Sequence, residues 1–382
     1  MASGAPHRSA SKLSYDLFLC PFRSLNTVEF MSLFVWLPFD YLLGLGAWLA
    51  ALFAAAVLLL RWRRTRRSQK RSLRGPHAGL ALWLVFAALT LPEVLCALFY
   101  DATDSFSQTN VSRRWFDRHV VVNRAGYRDA RELPTIRDPA KRYVAFVGDS
   151  FTFGHGIKKV ADRFSDRVGT ALQDDGVVTF NVGLPGIDIR TLAQAVPEEF
   201  DKLGVPTDAV VYAFVPNDIE YCDERTAAFY QQRASLQPSF FLWKHTYFYN
   251  LLYHRLSHWG SAGSGDYYGY LRESYEGPPW DCFTKNLDHL DAWCRGRKTR
   301  LVVVIFPFLM DLNERHPFLN AYARLRQHCS ENQIPCIDLS SEMVAHRQEG
   351  LVVSRFDAHP NERAHAIAAE AILPTIKTLL SE

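Results

Sequence analysis

Four short stretches of the chain carry residues that could perform acyl-transfer chemistry. They are Gly148-Asp149-Ser150, Asn181 to Gly186, Asn217-Asp218 and Asp357-Ala358-His359. A serine hydroxyl is a weak nucleophile at neutral pH unless a neighbouring base takes its proton. His359 is the candidate for that base, and Asp357 is the candidate carboxylate that would orient it. The residue types therefore predict a Ser150–His359–Asp357 triad.

The local sequence around the histidine suits this role. Pro360 biases His359 away from the helical region of backbone space, and proline is favoured as the first residue of a helix. The Asp357–His359 segment should therefore run extended into a helix start. In an extended segment residues i and i+2 point to the same side, so the carboxylate can reach the imidazole.

The order of the four stretches, with Ser, Gly, Asn and then Asp/His, resembles the SGNH (GDSL-like) hydrolase superfamily over roughly residues 142 to 380. The resemblance implies that the backbone N–H groups of Ser150 and Gly186 and the side chain of Asn217 stabilise the oxyanion. Gly183 is the competing choice for the second donor. Asp149 is interpreted as a residue that stabilises the turn rather than as a catalyst.

Two positions depart from the usual pattern of that superfamily. Pro216 replaces the glycine that often precedes the asparagine, so the local backbone is expected to differ. The aspartate stands two residues before the histidine, where most familiar members place it three before, at the position of Phe356. The two-residue spacing is similar to that of relatives that O-acetylate polysaccharides.

Hydrophobic patterning predicts the fold that would position these residues. Short apolar runs alternate with helical patterns from Lys141 onward, as in a parallel α/β sheet. Patterning thus predicts the α/β class, and the resemblance implies a flavodoxin-like three-layer sandwich of the SGNH type, preceded by a transmembrane helical hairpin. The predicted strands are Tyr143–Val147, Val177–Val182, Ala209–Phe214, Leu301–Phe306 and Pro335–Leu339. The predicted helices are Val160–Gln173, Thr191–Leu203, Phe283–Cys294, Ala321–Glu331 and Glu362–Leu380, the last with a kink at Pro374.

An aromatic-rich stretch at about 220–279 interrupts this alternation and is interpreted as a partly helical insertion. It includes Phe240 to Tyr249 and Asp266 to Tyr270. Aromatic side chains there could form a wall that stacks on sugars or binds an acyl group. They could equally form a lid that packs on the core or on the bilayer surface. The patterning leaves both readings open.

Two segments near the N-terminus are long and apolar enough to cross a bilayer. Tyr41–Leu60 carries no charge over twenty residues, and Ala78–Tyr100 is the second candidate. Between them, Arg61–His77 holds eight Lys or Arg and no acid. Because basic residues in short loops stay in the cytoplasm, the loop is expected inside and the C-terminal domain outside, in the periplasm or exterior. Phe30–Phe39 could extend the first helix outward, lie in the interface or form another crossing, and an additional crossing would move only the N-terminus.

The predicted organisation is an N-terminal segment (1–27), a membrane region (28–100) with spans at about 41–60 and 78–100, a connector (101–140) and a catalytic domain (141–382). Within the connector, Val120–Asp129 is interpreted as a lead-in strand with a packing role. The composition, 48% apolar and 22% charged with a net charge of +3, is that of a globular protein. The flanking spans make the basic cluster a topology signal rather than a nucleic-acid site.

Seven cysteines are present, and five of them lie beyond the membrane region. Disulfides are permitted outside the cytoplasm, and Cys329 with Cys336, or Cys282 with Cys294, are candidate pairs. An odd number leaves at least one thiol free. The cysteine and histidine spacings do not suggest zinc, and no cofactor is expected.

The sequence thus predicts a membrane-anchored serine esterase that acts on ester groups, above all O-acetyl groups, of envelope or secreted glycans. An O-acetyltransferase would use the same triad and would need a membrane partner that exports acyl groups. An inactive glycan-binding or assembly component is the non-enzymatic alternative, and a cytoplasmic thioesterase or lipase is a third. The expected partners are an acylated carbohydrate or lipid substrate and the membrane.

Overall fold

The computed structural model describes residues 35–235, 237–260 and 265–381, with side chains left undescribed at a few helix ends. It begins with an antiparallel pair of long helices, α1 (Phe39–Ser68) and α2 (Arg74–Leu98). Both are long and apolar enough to cross a membrane. No residue of α1 is buried, and its Phe53 is 73% exposed. A core helix would bury such side chains, so the pair is compatible with membrane anchoring. The predicted segment 1–27 and the first half of Phe30–Phe39 lie outside the described residues.

The basic stretch between the spans is mostly helical, which corrects the predicted loop at Arg61–His77. Helix α1 continues through Ser68 and α2 already begins at Arg74, so the turn covers only residues 69–73. Arginine and lysine have high helix propensity. The helix therefore extends beyond the apolar segment with most of its charged side chains exposed.

The connector packs against both the helix pair and the sheet. Helix α3 (Asn110–His119) begins at an N-cap, Thr109, whose side chain accepts a hydrogen bond from Ser112 N. The buried Arg114 donates to the carbonyl groups of Cys96 and Tyr100 at the end of α2, at 3.0 and 2.7 Å. These bonds satisfy carbonyls that a helix end leaves unpaired. The predicted lead-in strand at Val120–Asp129 is wrong, because the segment forms turns.

Five parallel strands form the central sheet in the order β2-β1-β3-β4-β5, which is the flavodoxin-like order. Their bounds are β1 (Arg142–Gly148), β2 (Val177–Asn181), β3 (Ala209–Phe214), β4 (Arg300–Ile305) and β5 (Cys336–Asp338). Helices α4 (Ser150–Phe153) and α5 (Phe164–Leu172) lie between β1 and β2, and α6 (Ile189–Leu203) lies between β2 and β3. Parallel pairing places the carboxyl ends of β1 and β3 side by side, with Gly148 opposite Ala213.

Between β3 and β4 the chain forms the predicted insertion and then a long helix. The helices there are α7 (Arg225–Ser235), α8 (Phe241–His245), α9 (Phe248–Gly260), α10 (Gly265–Ser274) and α11 (Pro278–Gly296). The C-terminal part contributes α12 (Leu319–Glu331), α13 (Ser340–Ala345), the antiparallel pair β6 (Val352–Ser354) and β7 (Asp357–Pro360), and α14 (Glu362–Ser381).

Helices cover both faces of the sheet, so the predicted three-layer α/β architecture is confirmed. Alternate residues of β1 point to opposite faces, as in any strand. Tyr143, Ala145 and Val147 pack with α6, α11 and α12. Val144 and Phe146 pack with α5, α13 and α14. Burial on both faces explains why the strand reads as a continuous apolar run.

Two predicted helices differ in detail from the observed ones. The predicted Val160–Gln173 helix is interrupted at Arg163, which is extended and separates a short 3₁₀ turn from α5. The fully buried Arg163 guanidinium donates to the carbonyl of Arg128 at 2.9 Å. Helix α14 continues through Pro374, whose side chain is exposed, so the carbonyl that loses its partner faces water.

The cysteine pairing differs from both candidate pairs. Cys222, which ends the 3₁₀ turn after β3, is bonded to Cys282 in α11. Cys294, Cys329 and Cys336 are free. Spacing along the chain could not reveal the true pair, because the two cysteines are separated by 60 residues and meet only when α11 packs beside that turn.

Candidate active site

The candidate nucleophile stands where β1 turns into α4. Gly148 has φ +153°, and a Cβ there would lie 2.8 Å from the carbonyl oxygen of Ala213 and 2.4 Å from Thr152 Oγ1. Only glycine fits this position. Asp149 then caps the short helix by accepting a hydrogen bond from Phe151 N at 2.8 Å. Ser150 is the first residue of that helix and is partly exposed.

The structure brings the three predicted triad residues into one hydrogen-bonded chain. His359 Nε2 lies 2.8 Å from Ser150 Oγ, and His359 Nδ1 lies 2.6 Å from Asp357 Oδ1. Asp357 and His359 are both in β7 and share one side of it, as their spacing predicts. A carboxylate accepts hydrogen, so Nδ1 carries the proton of a neutral imidazole. This leaves the Nε2 lone pair directed at the serine hydroxyl.

The electrostatics of this chain favour an ionised aspartate. Asp357 is fully buried, and burial by itself would raise its pKa. The charge of His359 and hydrogen bonds from His155 and His359 outweigh that effect and hold the Asp357 pKa below its ordinary value. The carboxylate therefore remains charged at neutral pH and can stabilise an imidazolium on His359.

The predicted oxyanion donors differ in how closely the structure ties them to the serine. Asn217 Nδ2 donates to Asp149 Oδ2 at 3.1 Å, so this side chain lies beside the nucleophile. The glycine loop contacts the nucleophile helix through Gly183, where a Cβ would lie 2.4 Å from Phe153 N. Gly186 lies exposed further along the same loop. Its role as a donor stays a prediction.

Two buried aspartates have separate roles in this region. Asp149 also lies 3.3 Å from Ser150 Oγ, and burial raises its pKa. Asp218 accepts hydrogen bonds from Tyr212 Oη at 2.7 Å and from Val215 N at 3.1 Å, and burial raises its pKa well above the ordinary value. These hydrogen bonds fix the turn after β3, in which the preceding residue, Asn217, lies beside the candidate nucleophile.

Sequence patterning did not identify the connector residues that form hydrogen bonds with Asp357 and with the adjacent Ala358. Thr103 Oγ1 donates to Asp357 Oδ2, and Ser105 Oγ accepts from Ala358 N at 2.9 Å. Both residues belong to the connector just after α2. Thr103 is 254 residues away from Asp357 in the chain. No local pattern could signal this contact, because it exists only in the folded protein.

His155 is a second buried histidine beside the triad. Its ring stacks on the His359 ring with centroids 3.9 Å apart and planes 14° apart. Its Nε2 lies 3.1 Å from the carbonyl oxygen of Asp104 and 3.5 Å from Asp357 Oδ2. Burial, followed by the neighbouring His359, lowers the His155 pKa. Since a carbonyl only accepts hydrogen bonds, Nε2 carries the hydrogen of a neutral ring.

Donor atoms of His155, Asp357 and His359 lie within 4.8 Å of one another, close enough to ligate a metal ion. The two imidazoles are stacked, however, so their nitrogen lone pairs run in parallel planes rather than converging on one point. The His359–Asp357 contact is also already a short hydrogen bond. This geometry suits a hydrogen-bonded triad better than a metal centre.

Arg128 fixes the loop that follows the nucleophile helix. Its buried guanidinium donates to the carbonyl groups of Gly154 at 2.6 Å and Ile157 at 2.5 Å. The sequence singled out the segment around this arginine for a packing role. Its function in the structure is to satisfy carbonyl groups that would otherwise be buried without partners.

Comparisons with known proteins bear on this site. A family model described as GDSL-like lipase/acylhydrolase matches residues 146–367. A comparison with curated proteins found no match.

Among solved structures, a member of the lipolytic G-D-S-L family from Veillonella parvula is 14% identical, covers 62% of this chain and 98% of its own, and has a TM-score of 0.39. An acetyl xylan esterase is 17% identical, covers 61% and 99%, and has a TM-score of 0.38. A two-domain esterase active on acetylated mannans is 16% identical, covers 63% and 50%, and has a TM-score of 0.38. These likenesses are too distant to assign a substrate.

Proposed function

The chain belongs to the GDSL-like lipase/acylhydrolase family and is a hydrolase acting on ester bonds, and from that premise we propose that it is a membrane-anchored serine esterase that removes O-acetyl groups from glycans outside the cytoplasm. The observation that carries the proposal is the hydrogen-bonded chain from Ser150 Oγ through His359 to Asp357, with distances of 2.8 and 2.6 Å. These are the distances that a nucleophile, its base and the orienting carboxylate require.

In the proposed acylation step, Ser150 Oγ attacks the ester carbonyl carbon while its proton moves to His359 Nε2. The new imidazolium is stabilised by the Asp357 carboxylate. The oxyanion accepts hydrogen bonds from Asn217 Nδ2 and from backbone N–H groups of Ser150 and Gly186, donors worth about 2.7–4 kcal/mol each. When the intermediate collapses, the C–O bond to the sugar breaks and His359 returns its proton to the leaving hydroxyl.

In the deacylation step, a hydroxyl compound attacks the acyl-enzyme. Water gives its proton to His359 Nε2 as it adds to the carbonyl, the bond to Ser150 Oγ breaks, and the serine regains the proton. The products are acetate and the free enzyme. A sugar hydroxyl in place of water would make the same chain an O-acetyltransferase, so the choice between the two reactions depends on the acceptor that the site admits.

The proposed location outside the cytoplasm rests on charge and on the helix pair. The end of the pair at residues 61–74 is rich in arginine, and basic residues stay on the cytoplasmic side. The catalytic domain follows the opposite end of α2. The Cys222–Cys282 disulfide supports the same side of the membrane, because structural disulfides persist in oxidising compartments.

The choice of glycan esters as substrates rests on the Asp357-Ala358-His359 spacing, which is similar to that of polysaccharide O-acetylation relatives, and on the proposed location. The aromatic insertion gives this choice little support. Tyr267, Tyr270 and Tyr275 are buried in the core with α11, which favours a packing role for that part of the insertion.

The test uses the purified full chain in detergent with O-acetylated xylan and mannan oligosaccharides. We expect acetate release by the wild type and none by Ser150→Ala, with matching circular dichroism spectra for the two proteins. Addition of unacetylated oligosaccharide followed by mass spectrometry measures transfer. Acetyl transfer that outruns acetate release would establish the transferase, and a folded protein that releases acetate from none of these glycans would contradict the proposed substrate class.

The side of the membrane is tested separately. A reporter enzyme that is active only outside the cytoplasm, fused after Glu382, should be active in cells. A second reporter enzyme, which is active only inside the cytoplasm, should be inactive when it is fused at the same position. Activity of this second fusion would contradict the proposed location and favour an intracellular thioesterase or lipase.

A further inference from the structure

Helices α8 and α9 leave a row of large apolar side chains exposed, which we call the α8–α9 face. Their exposed fractions run from 38% to 71%. The face consists of Phe240, Phe241, Leu242, Leu252, Tyr253 and Leu256. Scattered apolar residues on a surface are normal, but a cluster of this kind usually marks an interaction site.

The start of α9 is attached to α2 by a buried carboxylate. Glu93 accepts hydrogen bonds from Tyr247 N and Phe248 N, both at 2.8 Å, and from Tyr41 Oη at 2.8 Å. The Tyr247 ring meets the Tyr41 ring edge-on, with centroids 5.0 Å apart. Glu93 lies five residues before the end of α2 at Leu98, or about 7.5 Å along the helix axis. Measured along the axis of α2, helix α9 therefore begins before the end of the second span.

Aromatic side chains mark that same end of the helix pair. Trp36 just before α1, Phe39 at its start, and Phe99 and Tyr100 after α2 are exposed by 37% to 74%. Tryptophan and tyrosine are enriched where a span meets the headgroup region. Helix α9 contacts this end of the helix pair, since Tyr247 meets Tyr41 and Arg255 bonds Tyr100. It therefore adjoins a region that has the composition of a membrane interface.

We propose that the α8–α9 face lies in the outer interfacial layer of the bilayer, with its apolar side chains at the boundary between headgroups and acyl chains. The inference rests on the membrane anchoring in the proposed function and extends it from a hairpin to a hairpin with a surface-bound helix pair. Lys244 and His245 are exposed next to the apolar residues, where they can face lipid phosphates. This combination of apolar and basic side chains is the pattern of an interfacial amphipathic segment.

The proposed contact would also place the active site near the membrane surface. Arg255 of α9 stacks over the Phe356 ring at 4.2 Å and also bonds Tyr100 at the end of α2. Phe356 is adjacent to Asp357. A helix held at the bilayer surface would therefore border the start of β7, the strand that carries Asp357 and His359. The catalytic domain would then be held against the membrane.

The test is photolabelling of the full chain in phosphatidylcholine/phosphatidylglycerol nanodiscs that contain a lipid with a diazirine near the headgroup. After illumination, digestion and mass spectrometry locate the lipid adducts. We expect adducts in residues 240–256 as well as in α1 and α2. Ile136 and Leu203 serve as internal controls, because they are 84% and 38% exposed but lie before β1 and β3, at the opposite edge of the sheet. They should stay unlabelled.

The outcomes separate this proposal from the anchoring on which it rests. Adducts on the helix pair without adducts on residues 240–256 would overturn it, leaving a protein partner or a second copy of the chain as the occupant of the face. Labelling of Ile136 and Leu203 to the same extent would overturn it as well. Absence of adducts on α1 and α2 would contradict the anchoring itself. The double variant Phe241→Asn, Leu256→Asn should lose the adducts on 240–256 and keep those on the helix pair.

Discussion

The two halves of the candidate triad are held in different ways. Ser150 begins helix α4 directly after β1, so Gly148 and the Asp149 cap fix its position through the adjacent backbone of the main sheet. Asp357 and His359 lie instead in a short two-stranded hairpin outside the main sheet. That hairpin is held from outside, by Thr103 and Ser105 of the connector and by the stacked ring of His155.

The difference teaches that the site has a rigid half and a supported half. A substitution in the rigid half should lower mainly the free energy of unfolding, because its residues are packed into the core. A substitution of a residue that holds the hairpin should lower mainly kcat, because such a residue orients the Asp357 carboxylate and is not part of the sheet's core. The following substitutions test this division.

The largest effect is expected from Asp357→Asn in the supported half. An amide would favour the wrong tautomer of His359, and kcat should fall by about 10⁴-fold. The measurement is hydrolysis of p-nitrophenyl acetate by the full chain in detergent, with circular dichroism as the control for folding. A kcat near that of the wild type would remove Asp357 from the proposed triad.

A smaller effect is expected from Thr103→Val, which removes the hydroxyl that donates to Asp357 Oδ2 while keeping the side-chain shape. Hydrogen bonds to charged groups are worth about 1.5–3 kcal/mol, so kcat should fall by about 10- to 100-fold. Thr103→Ser should restore most of the loss, which a merely structural role would not predict. Thr170→Val, an exposed threonine on α5, is the matched control. Equal kcat for the two valine variants would refute the role of Thr103 in positioning Asp357.

In the rigid half, Gly148→Ala should act on stability. At φ +153° with a backbone oxygen 2.8 Å from the new Cβ, the cost should be about 1–3 kcal/mol of the free energy of unfolding. Denaturant unfolding in detergent measures it. Gly296→Ala at the end of α11, where a Cβ meets nothing within 4 Å, is the control and should lose no stability. An unchanged unfolding midpoint for Gly148→Ala would contradict the claim that the rigid half acts mainly on stability.

The rigid half also contains a buried histidine that should make stability depend on pH. His365 Nδ1 accepts from Phe164 N at 3.2 Å, and burial, reinforced by Arg163, lowers the His365 pKa to about 3. Below an ordinary histidine pKa of about 6.5, the unfolded chain binds a proton that the folded chain excludes. Stability should therefore fall as pH is lowered from about 6.5 towards 3, by about 1.4 kcal/mol per pH unit from this group.

His365→Asn keeps an acceptor for Phe164 N and removes the titrating ring, so the pH dependence of the unfolding free energy should become shallower by that amount. His289→Asn on the exposed side of α11 is the control. The same slope in the wild type and in His365→Asn would show that His365 does not supply the proton uptake.

Sequence patterning could predict the rigid half because its signals are local. The apolar run before Gly148 and the strand Ala209–Phe214 follow from burial on both faces of a parallel sheet, and the structure has the second at the predicted bounds. In the supported half, only the two-residue spacing of Asp357 and His359 gives such a local signal, because it predicts one shared side of a strand. All of these depend on neighbours within a few residues.

The contacts that hold the β6–β7 hairpin could not be predicted, because they join parts of the chain that are distant in sequence. Thr103 meets Asp357 only after α2, the connector and the C-terminal hairpin have packed together. The Cys222–Cys282 pair has the same origin. The sequence pattern also did not predict the interruption at Arg163, whose buried guanidinium bonds the carbonyl of Arg128, 35 residues away in the chain.

The most direct test of the central claim, an activated serine at position 150, is labelling of the full chain with a fluorophosphonate in detergent. Mass spectrometry of the digested protein locates the adduct, and Ser150→Ala is the control. We predict one adduct on Ser150, absent from Ser150→Ala and strongly slowed in Asp357→Asn. A folded wild-type protein that acquires no adduct on Ser150 would contradict the triad and favour a binding or assembly role for the domain.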